Sequence, residues 1–227
     1  MREIVLDTET TGFDPTSGDR IVEVGCVELV NYVPTGNTYQ SYVNPERDVP
    51  APAYAVHGLS REFLSAHPVF AGVAGALVDF IGESKLIIHN AGFDLGFLNA
   101  EFARLEIAPL PAERAVDTVQ VARRKFPGAP ASLDALCSRF GIDTTGREQH
   151  GALKDAMLLA QVYLELIGGR QPDLAFAASA GATGGAAIAG PARSGGATAR
   201  AARAHAVTDA ETAAHAAFLA KLKNPVW

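Results

Sequence analysis

Two carboxylates at the end of an apolar strand constrain this chain more than any other feature of its sequence. Asp7 and Glu9 directly follow Ile4-Val5-Leu6 in the segment LDTETTG. Residues two apart in a strand lie on the same face, so both carboxylates project together. Two such groups held side by side repel each other, and the arrangement is stable chiefly when a cation lies between them. Taken alone, the pair predicts a cation site and a solvated strand end about equally.

Three further residues extend this pattern. Asp94 lies in HNAGFDLGFL, in the first turn of a predicted helix, where the helix dipole favours an acid in any case. His150 and Asp155 lie in HGALKDAMLLAQVYLEL. A separation of five residues places two side chains about 140° apart around the axis of an ideal helix. His150 and Asp155 could therefore not face one site from the same helix. We therefore predict that Gly151 lets His150 lie in the preceding loop while Asp155 projects from the first turns.

The hydrophobic periodicity of residues 1–169 predicts a mixed α/β domain. A strand begins at Ile4, the segments 21–30 and 38–43 complete a three-stranded antiparallel meander, and 86–88 is a short buried strand. Helices are predicted at 70–81, 93–105, 116–124, 132–140 and 151–167. Ser132 and Asp134 suit the first turn of the helix at 132–140.

The segments DTETTG, HNAGFD and HGALKDA, in this order and with these gaps, resemble the three exonuclease motifs of the DnaQ-like (DEDD) superfamily. A histidine five residues before the last aspartate marks the DEDDh subgroup, in which a histidine is the general base. Within this subgroup the chain is most similar, over residues 3–170, to the epsilon-subunit family of bacterial DNA polymerase III. The resemblance implies a ribonuclease H-like fold, an α/β fold with a mixed five-stranded sheet and helices on both faces.

The resemblance also implies a mechanism. Two Mg²⁺ or Mn²⁺ ions would be held by four carboxylates, and His150 would take a proton from the attacking water. Mismatched 3′-terminal nucleotides would leave as nucleoside 5′-monophosphates. Hard oxygen ligands suit these ions, and the sequence has no Cys/His cluster that would favour zinc. The implied metal ligands are Asp7, Glu9, Asp94 and Asp155, and the implied contacts to a single-stranded or frayed 3′ DNA end are Asp7, Thr8, Glu9, Thr10, Phe13, His57 and Asp155.

Several other residues are given lesser roles. For Phe13, ordinary packing is as good an interpretation as substrate contact. Pro52 stands where relatives have a substrate-contacting glutamate, so that contact is not carried over. His89 and Asp117 are expected to support the fold through hydrogen bonds. Lys125, with Arg123 and Arg124, is expected on a solvated helix face, and Cys26 and Cys137 are expected to be buried thiols.

Charge is unevenly distributed along the chain. Residues 1–169 contain 13 Lys and Arg against 22 Asp and Glu, whereas residues 170–227 contain 6 against 3. A domain that binds nucleic acid through its own positive charge would contain more Lys and Arg than Asp and Glu. Bound divalent cations would supply the missing positive charge.

The pattern changes after residue 169. Residues 170–176 contain Gln171, Leu174 and Phe176 in an order that resembles a sliding-clamp-binding motif; a helix end with two incidental apolar residues is the alternative. Of the 30 residues from 177 to 206, 14 are Ala and 6 are Gly, so this segment is predicted to be a flexible linker. As a coil it would span roughly 30 Å.

Residues 207–227 regain helical spacing, with Ala214, Phe218 and Leu222 on one stripe and Trp227 at the end. Thr208 or Asp209 can cap such a helix. The segment resembles the end of epsilon subunits that binds the large catalytic (alpha) subunit of DNA polymerase III. A tail without a role is the alternative.

Three functions compete at this point. The first is a proofreading exonuclease subunit tethered to a polymerase; the resemblance leaves open whether a small theta-like third subunit also binds. The second is an RNA-trimming relative such as ribonuclease T or oligoribonuclease, and the residues after 169 favour the first. The third is an inactive binding module, against which the complete set of four carboxylates and a histidine argues. No apolar run suits a membrane span and no export signal is evident, so a cytoplasmic location is expected.

Overall fold

The computed structural model describes residues 1–145, 149–168 and 208–220. They belong to two units, one within Met1–Ala178 and one within Ser179–Trp227. The predicted boundaries at 169/170, 176/177 and 206/207 lie outside the described residues, as do the clamp motif, the linker, Leu222 and Trp227.

One mixed five-stranded sheet organises the first unit, with the strand order β3-β2-β1-β4-β5. The first three strands form the predicted antiparallel meander, and β4 and β5 add to it in parallel. The strands are β1 (Arg2–Thr10), β2 (Ile21–Val30), β3 (Val33–Tyr42), β4 (Lys85–Ile88) and β5 (Ala115–Asp117).

Eight α-helices lie in the described part of the chain. The predicted helix at 70–81 is confirmed at both ends, and those at 132–140 and 151–167 each begin one residue later than predicted. They are α1 (Ala51–His57), α2 (Arg61–Ser65), α3 (Phe70–Ile81), α4 (Ala91–Arg104), α5 (Thr118–Lys125), α6 (Leu133–Phe140), α7 (Ala152–Ile167) and α8 (Asp209–Leu219).

The predicted helix at 116–124 is wrong at its start. Val116 and Asp117 belong to β5, where Val116 lies opposite Ile87 of β4. Asp117 then ends the strand and begins α5, because its carboxylate accepts a hydrogen bond from the Val119 amide. A three-residue strand that continues directly into a helix has too few residues to show a strand period of its own.

The helices α1 and α2 were not predicted. Prolines at 50 and 52 flank the start of α1. Proline is nevertheless tolerated in the first helical turn, where the missing N–H has no partner to lose.

The sheet separates two apolar layers. Ile4 and Leu6 pack with α3 and α4 on one face. Val5, between them in sequence, packs with α6 and α7 on the other face. Because side chains alternate along a strand, Asp7 and Glu9 lie on the same face as Val5, the face that α7 covers.

The described part of the second unit is the single helix α8. Thr208 and Glu211 form a reciprocal capping box at its start, so the predicted cap at Thr208 is confirmed. Ala214 and Phe218 lie on this helix, and Phe218 is exposed. Within the described residues, no helix has the length and apolarity needed to cross a membrane.

Candidate active site

The carboxylates of β1 lie side by side within the sheet. Asp7 is opposite Gly25 and Glu9 is opposite Glu23 on β2. Glu9 is buried and Asp7 is partly buried. Burial raises the pKa of Asp7 well above its usual range, and the neighbouring carboxylates of Asp94, Glu9, Asp155 and Glu23 raise it further. The structure thus crowds negative charge at a place with little water.

Asp94 joins this site from the start of α4. Its carboxyl group is 3% exposed, and Oδ1 accepts a hydrogen bond of 2.7 Å from the Thr8 hydroxyl. Burial raises the pKa of Asp94 to about 7, although the hydrogen bond from Thr8 acts in the opposite direction. A carboxylate that is so hard to ionise in the metal-free protein favours a positive ligand beside it.

His150 and Asp155 meet as the sequence predicts, one before α7 and the other in its first turn. The Nδ1 atom of His150 lies 3.0 Å from Oδ2 of Asp155. Asp155 is 4% exposed, whereas the histidine ring reaches solvent. The His150 amide donates to the carbonyl of Val56 at the end of α1, which ties the loop before α7 to that helix.

The predicted reason for the position of His150 needs correction. Gly151 has φ −159°, an extended conformation that any residue adopts, and a Cβ there would be 3.8 Å from Oε2 of Glu23, an ordinary contact. His150 lies outside the helix because α7 begins at Ala152. The conformational freedom of glycine is not required at this position.

The carboxylates of Glu9 and Asp155 and the imidazole of His150 form one cluster, in which one ligand atom from each lies within 4.8 Å of the others. With Asp7 and Asp94 close by on β1 and α4, all five residues predicted to carry the chemistry converge at the C-terminal end of the central strand β1. Oxygen atoms dominate this donor set, which suits hard divalent cations.

A pocket of about 380 Å³ opens beside the carboxylates. The Phe13 side chain lies on its edge and is 88% exposed, so the packing interpretation of this residue is wrong. The Thr10 hydroxyl donates to the Gly12 carbonyl at 2.6 Å and thereby shapes the turn that carries Phe13. The pocket residues that the sequence predicted are Thr8, Glu9, Thr10, Phe13 and His57, and Pro52 lines it as well.

His57 is the one predicted contact whose ring is almost fully buried, with 4% exposure. Its Nδ1 accepts a hydrogen bond from the Leu59 amide at 3.0 Å, so the proton of the neutral ring is on Nε2. Nε2 makes no hydrogen bond of good geometry with the described residues. Burial lowers the pKa of His57, an effect that the Thr10 carbonyl partly offsets. The ring therefore holds a neutral donor at the pocket wall.

The supporting residues behave largely as expected. His89 Nδ1 lies 2.8 Å from the Thr118 hydroxyl, and Asp117 accepts from the Asn90 amide. Cys26 and Cys137 are both buried free thiols. Lys125 is exposed with Arg123 and Arg124, as expected, and its Nζ also donates to the last carbonyls of α7 at Glu165 and Leu166, both at 2.8 Å, and so caps that helix.

Sequence reasoning missed Glu23 and Gly25, which both contact the start of α7. Glu23 is 2% exposed, and its Oε2 accepts a hydrogen bond of 3.1 Å from the Ala152 amide. An acid within an otherwise apolar strand segment, IVEVGCVELV, is the signal that could have identified Glu23.

Comparison with known proteins agrees with this architecture. The profile of a family described as Exonuclease matches residues 4–163. The structure of exonuclease X with 5′-overhanging duplex DNA matches with a TM-score of 0.58 at 24% identity, over 73% of this chain and 90% of the other. The nuclease domain of 3′hExo, a DEDDh family member bound to rAMP, matches with a TM-score of 0.63 at 20% identity, over 73% and 91%. Fold and profile define an exonuclease of ribonuclease H-like fold.

Sequence relatives narrow the class. The DNA polymerase III subunit epsilon of Rickettsia felis is 56% identical over 174 residues, which are 75% of this chain and 76% of the relative. That of Escherichia coli is 47% identical over 184 residues, 78% of this chain and 75% of the relative. The chain belongs to the family of DNA polymerase III epsilon subunits.

Proposed function

We propose that this chain is the proofreading subunit of a cytoplasmic replicative DNA polymerase and removes mismatched nucleotides from 3′ DNA ends. The observation that carries the proposal is the cluster of Glu9, Asp155 and His150, with the carboxylates of Asp7 and Asp94 close by, beside a pocket in a member of the epsilon-subunit family.

The carboxylates fit two divalent cations, which we propose to be Mg²⁺ or Mn²⁺. Burial raises the pKa values of Asp7 and Asp94, and repulsion from the neighbouring carboxylates raises that of Asp7 further, so the metal-free site is electrostatically unfavourable at neutral pH. Hard cations would relieve that repulsion. Asp7, Glu9, Asp94 and Asp155 would hold the ions, which when bound supply an activated water and stabilise the leaving 3′ oxygen.

His150 is proposed to be the general base. Its Nδ1 faces Oδ2 of Asp155, which favours the tautomer with a proton on Nδ1 and a lone pair on Nε2. Nε2 would then take the proton of the attacking water. An imidazole is the side chain that most often serves as a general base. The ring reaches solvent, so the proton can leave after each turnover.

The pocket is proposed to hold the terminal nucleotide. Exposed Phe13 offers an aromatic face on which a base can stack. The Nε2–H of His57 offers a hydrogen bond to an oxygen of the nucleotide, because it is buried without a good partner among the described residues. Thr8, Glu9 and Thr10 also line the pocket, and a scissile phosphate bound there would lie near the carboxylate of Glu9.

The C-terminal residues 207–227 are proposed to bind the alpha subunit of the polymerase. The capping box at Thr208 shows that this segment can begin a helix, and exposed Phe218 is available for a partner. Trp227 is the second proposed anchor. Deletion of 207–227 should leave digestion of free single strands unchanged and abolish co-purification with alpha; co-elution at wild-type affinity would exclude this role.

Residues Gln171–Phe176 are proposed to bind the sliding clamp. A single short motif binds weakly, so its contribution should appear as avidity when the polymerase is also present. A pull-down with purified clamp would compare the wild type with the double variant Leu174→Ala, Phe176→Ala, and equal retention would disprove the contact. A separate pull-down of the wild type with a small theta-like subunit would test whether that subunit binds.

Digestion of 5′-labelled single-stranded DNA and RNA, in parallel and with or without Mg²⁺, tests the proposed activity. We expect a ladder of products shortened from the 3′ end on DNA, no products in EDTA, and no activity for Asp7→Ala. Preference for RNA would instead assign an RNA-trimming function. Wild-type activity in EDTA, or in Asp7→Ala, would contradict the metal mechanism.

A further inference from the structure

Glu23 is a buried acid in the site that the proposed chemistry does not use. It lies on β2 opposite Glu9, and both of its carboxylate oxygens have donors. Oε1 accepts from the side-chain amide of Gln40 at 2.7 Å, and Oε2 accepts from the backbone amide of Ala152 at 3.1 Å. With both oxygens engaged by nitrogen donors, this carboxylate is placed to hold protein rather than an ion.

The start of α7 needs such an acceptor from elsewhere. The first amide groups of a helix have no acceptor within the helix, and a buried amide without a partner is costly. Gly151, which precedes the first helical residue, has no side chain that could cap. Glu23 therefore supplies from β2 the acceptor and the negative charge that the helix start requires.

Gly25 allows this contact by its lack of a side chain. A Cβ on Gly25 would lie 2.2 Å from the backbone nitrogen of Leu153 and 2.3 Å from the backbone carbon of Ala152, distances that no real contact permits. The first turn of α7 thus rests directly on the backbone of β2. Gly25 is also the partner of Asp7 in the sheet, so this contact lies directly beside the carboxylate cluster.

We propose that Glu23 is a positioning residue, whose carboxylate fixes the first turn of α7 and thereby the positions of His150 and Asp155. His150 is two residues before Ala152 and Asp155 is three residues after it, so a shift of this turn displaces both. The proposal rests on the catalytic roles assigned above to His150 and Asp155.

The test compares Glu23→Met with Glu23→Gln. Both side chains are neutral and close in size to glutamate, but only glutamine can still accept the hydrogen bond from Ala152 and, through its amide, pair with Gln40. We expect Glu23→Met to lower kcat by about 10- to 100-fold with KM within about threefold, because small displacements of catalytic groups reduce rate steeply. Glu23→Gln should restore kcat to within about threefold of the wild type.

Ser132→Ala is the matched control for the loss of a helix cap. Ser132 accepts a hydrogen bond from the Ala135 amide at the start of α6, which carries no proposed site residue. This variant should lower the melting temperature by about 2–4 °C without changing kcat. A kcat in Ser132→Ala as low as that in Glu23→Met would mean that instability alone explains the loss and would overturn the proposal.

The remaining outcomes are equally decisive. Equal kcat in the Met and Gln variants would attribute any effect to charge and overturn the positioning role. If His150→Ala is inactive while Glu23→Met keeps the wild-type rate, only the role of Glu23 fails; if both keep it, the proposed base fails as well. If Glu23→Met does not fold, hydrogen exchange in the wild-type protein still tests the contact. An Ala152 amide that exchanges as fast as the amides of a disordered peptide would disprove the cap.

Discussion

The helices α4 and α7 present their aspartates to the site in the same way. Asp94 and Asp155 each lie four residues after the residue that precedes the helix, Asn90 or Gly151. Neither of those two preceding residues caps its helix with a side chain. The aspartates differ in their partners, because Asp94 accepts from the Thr8 hydroxyl whereas Asp155 contacts the imidazole of His150.

This difference divides the site into a fixed side and a side that can exchange protons. A threonine hydroxyl keeps its proton at all relevant pH values, so Thr8 can only orient Asp94. An imidazole nitrogen can accept a proton and release it again, so His150 can also carry out acid–base chemistry. The surroundings match this division: Asp94 and Thr8 are buried, whereas the ring of His150 reaches solvent.

Replacement of either aspartate should abolish activity, because on both sides the carboxylate is proposed to hold metal. We expect Asp94→Asn and Asp155→Asn each to reduce kcat by about 10³-fold or more, since the loss of a charged ligand unbalances the site. Circular dichroism should show that both variants are folded. A loss in only one of the two variants would contradict the shared role and restrict the metal site to one helix.

The partner residues should separate the two sides. His150→Ala should reduce kcat by about 10²- to 10⁴-fold while metal binding, measured by calorimetry, is retained. Thr8→Val has nearly the same shape as threonine and removes only the hydroxyl, so it should reduce kcat by no more than about tenfold. Equal losses in the two variants would mean that His150, like Thr8, acts only by orienting its aspartate.

The sequence predicts those parts of this site that depend on residues close together in the chain, and it misses contacts between residues far apart in the chain. The local pattern of period 2 places Asp7 and Glu9 on one face, and the spacing to Asp155 indicates that His150 precedes the helix. The family resemblance brings these segments together. The contact of Glu23 with Ala152 joins residues 129 apart in sequence, so no local pattern reveals it. Gly25 likewise resembles an ordinary strand glycine in the sequence, and only the structure shows that the backbone of α7 packs directly against it.

The pH dependence of stability should expose the buried side of the site. Burial raises the pKa of Asp94 in the folded protein to about 7, well above the usual range of an aspartate. The folded state therefore binds this proton more tightly than the unfolded state, and the carboxyl group opposes folding increasingly as pH rises from about 4 to 7. In EDTA, the wild type should melt at a lower temperature at pH 8 than at pH 5, and Mg²⁺ or Mn²⁺ should reduce this difference.

Asp94→Asn provides the control for that measurement. Asparagine does not titrate, so in EDTA the variant should lose less stability than the wild type between pH 5 and pH 8, by about 2–4 °C for each kcal/mol recovered. Scanning calorimetry at the two pH values measures both proteins. An identical pH dependence in the variant would show that Asp94 is not the source of the effect. Asp7, whose pKa burial also raises, would then be the group to test.

The residues that precede the two helices should give the smallest effects, with opposite signs. Asn90 has φ 67°, a left-handed conformation that asparagine tolerates better than alanine, so Asn90→Ala should destabilise the protein by about 1 kcal/mol. Gly151 is extended and a Cβ there meets only an ordinary contact, so Gly151→Ala should stabilise it by about 0.4–1 kcal/mol through the unfolded state. Urea unfolding with unchanged m-values measures both. Destabilisation by Gly151→Ala would show that the glycine is needed to place His150 outside the helix after all, and the start of α7 would then depend on its own sequence more than on Glu23.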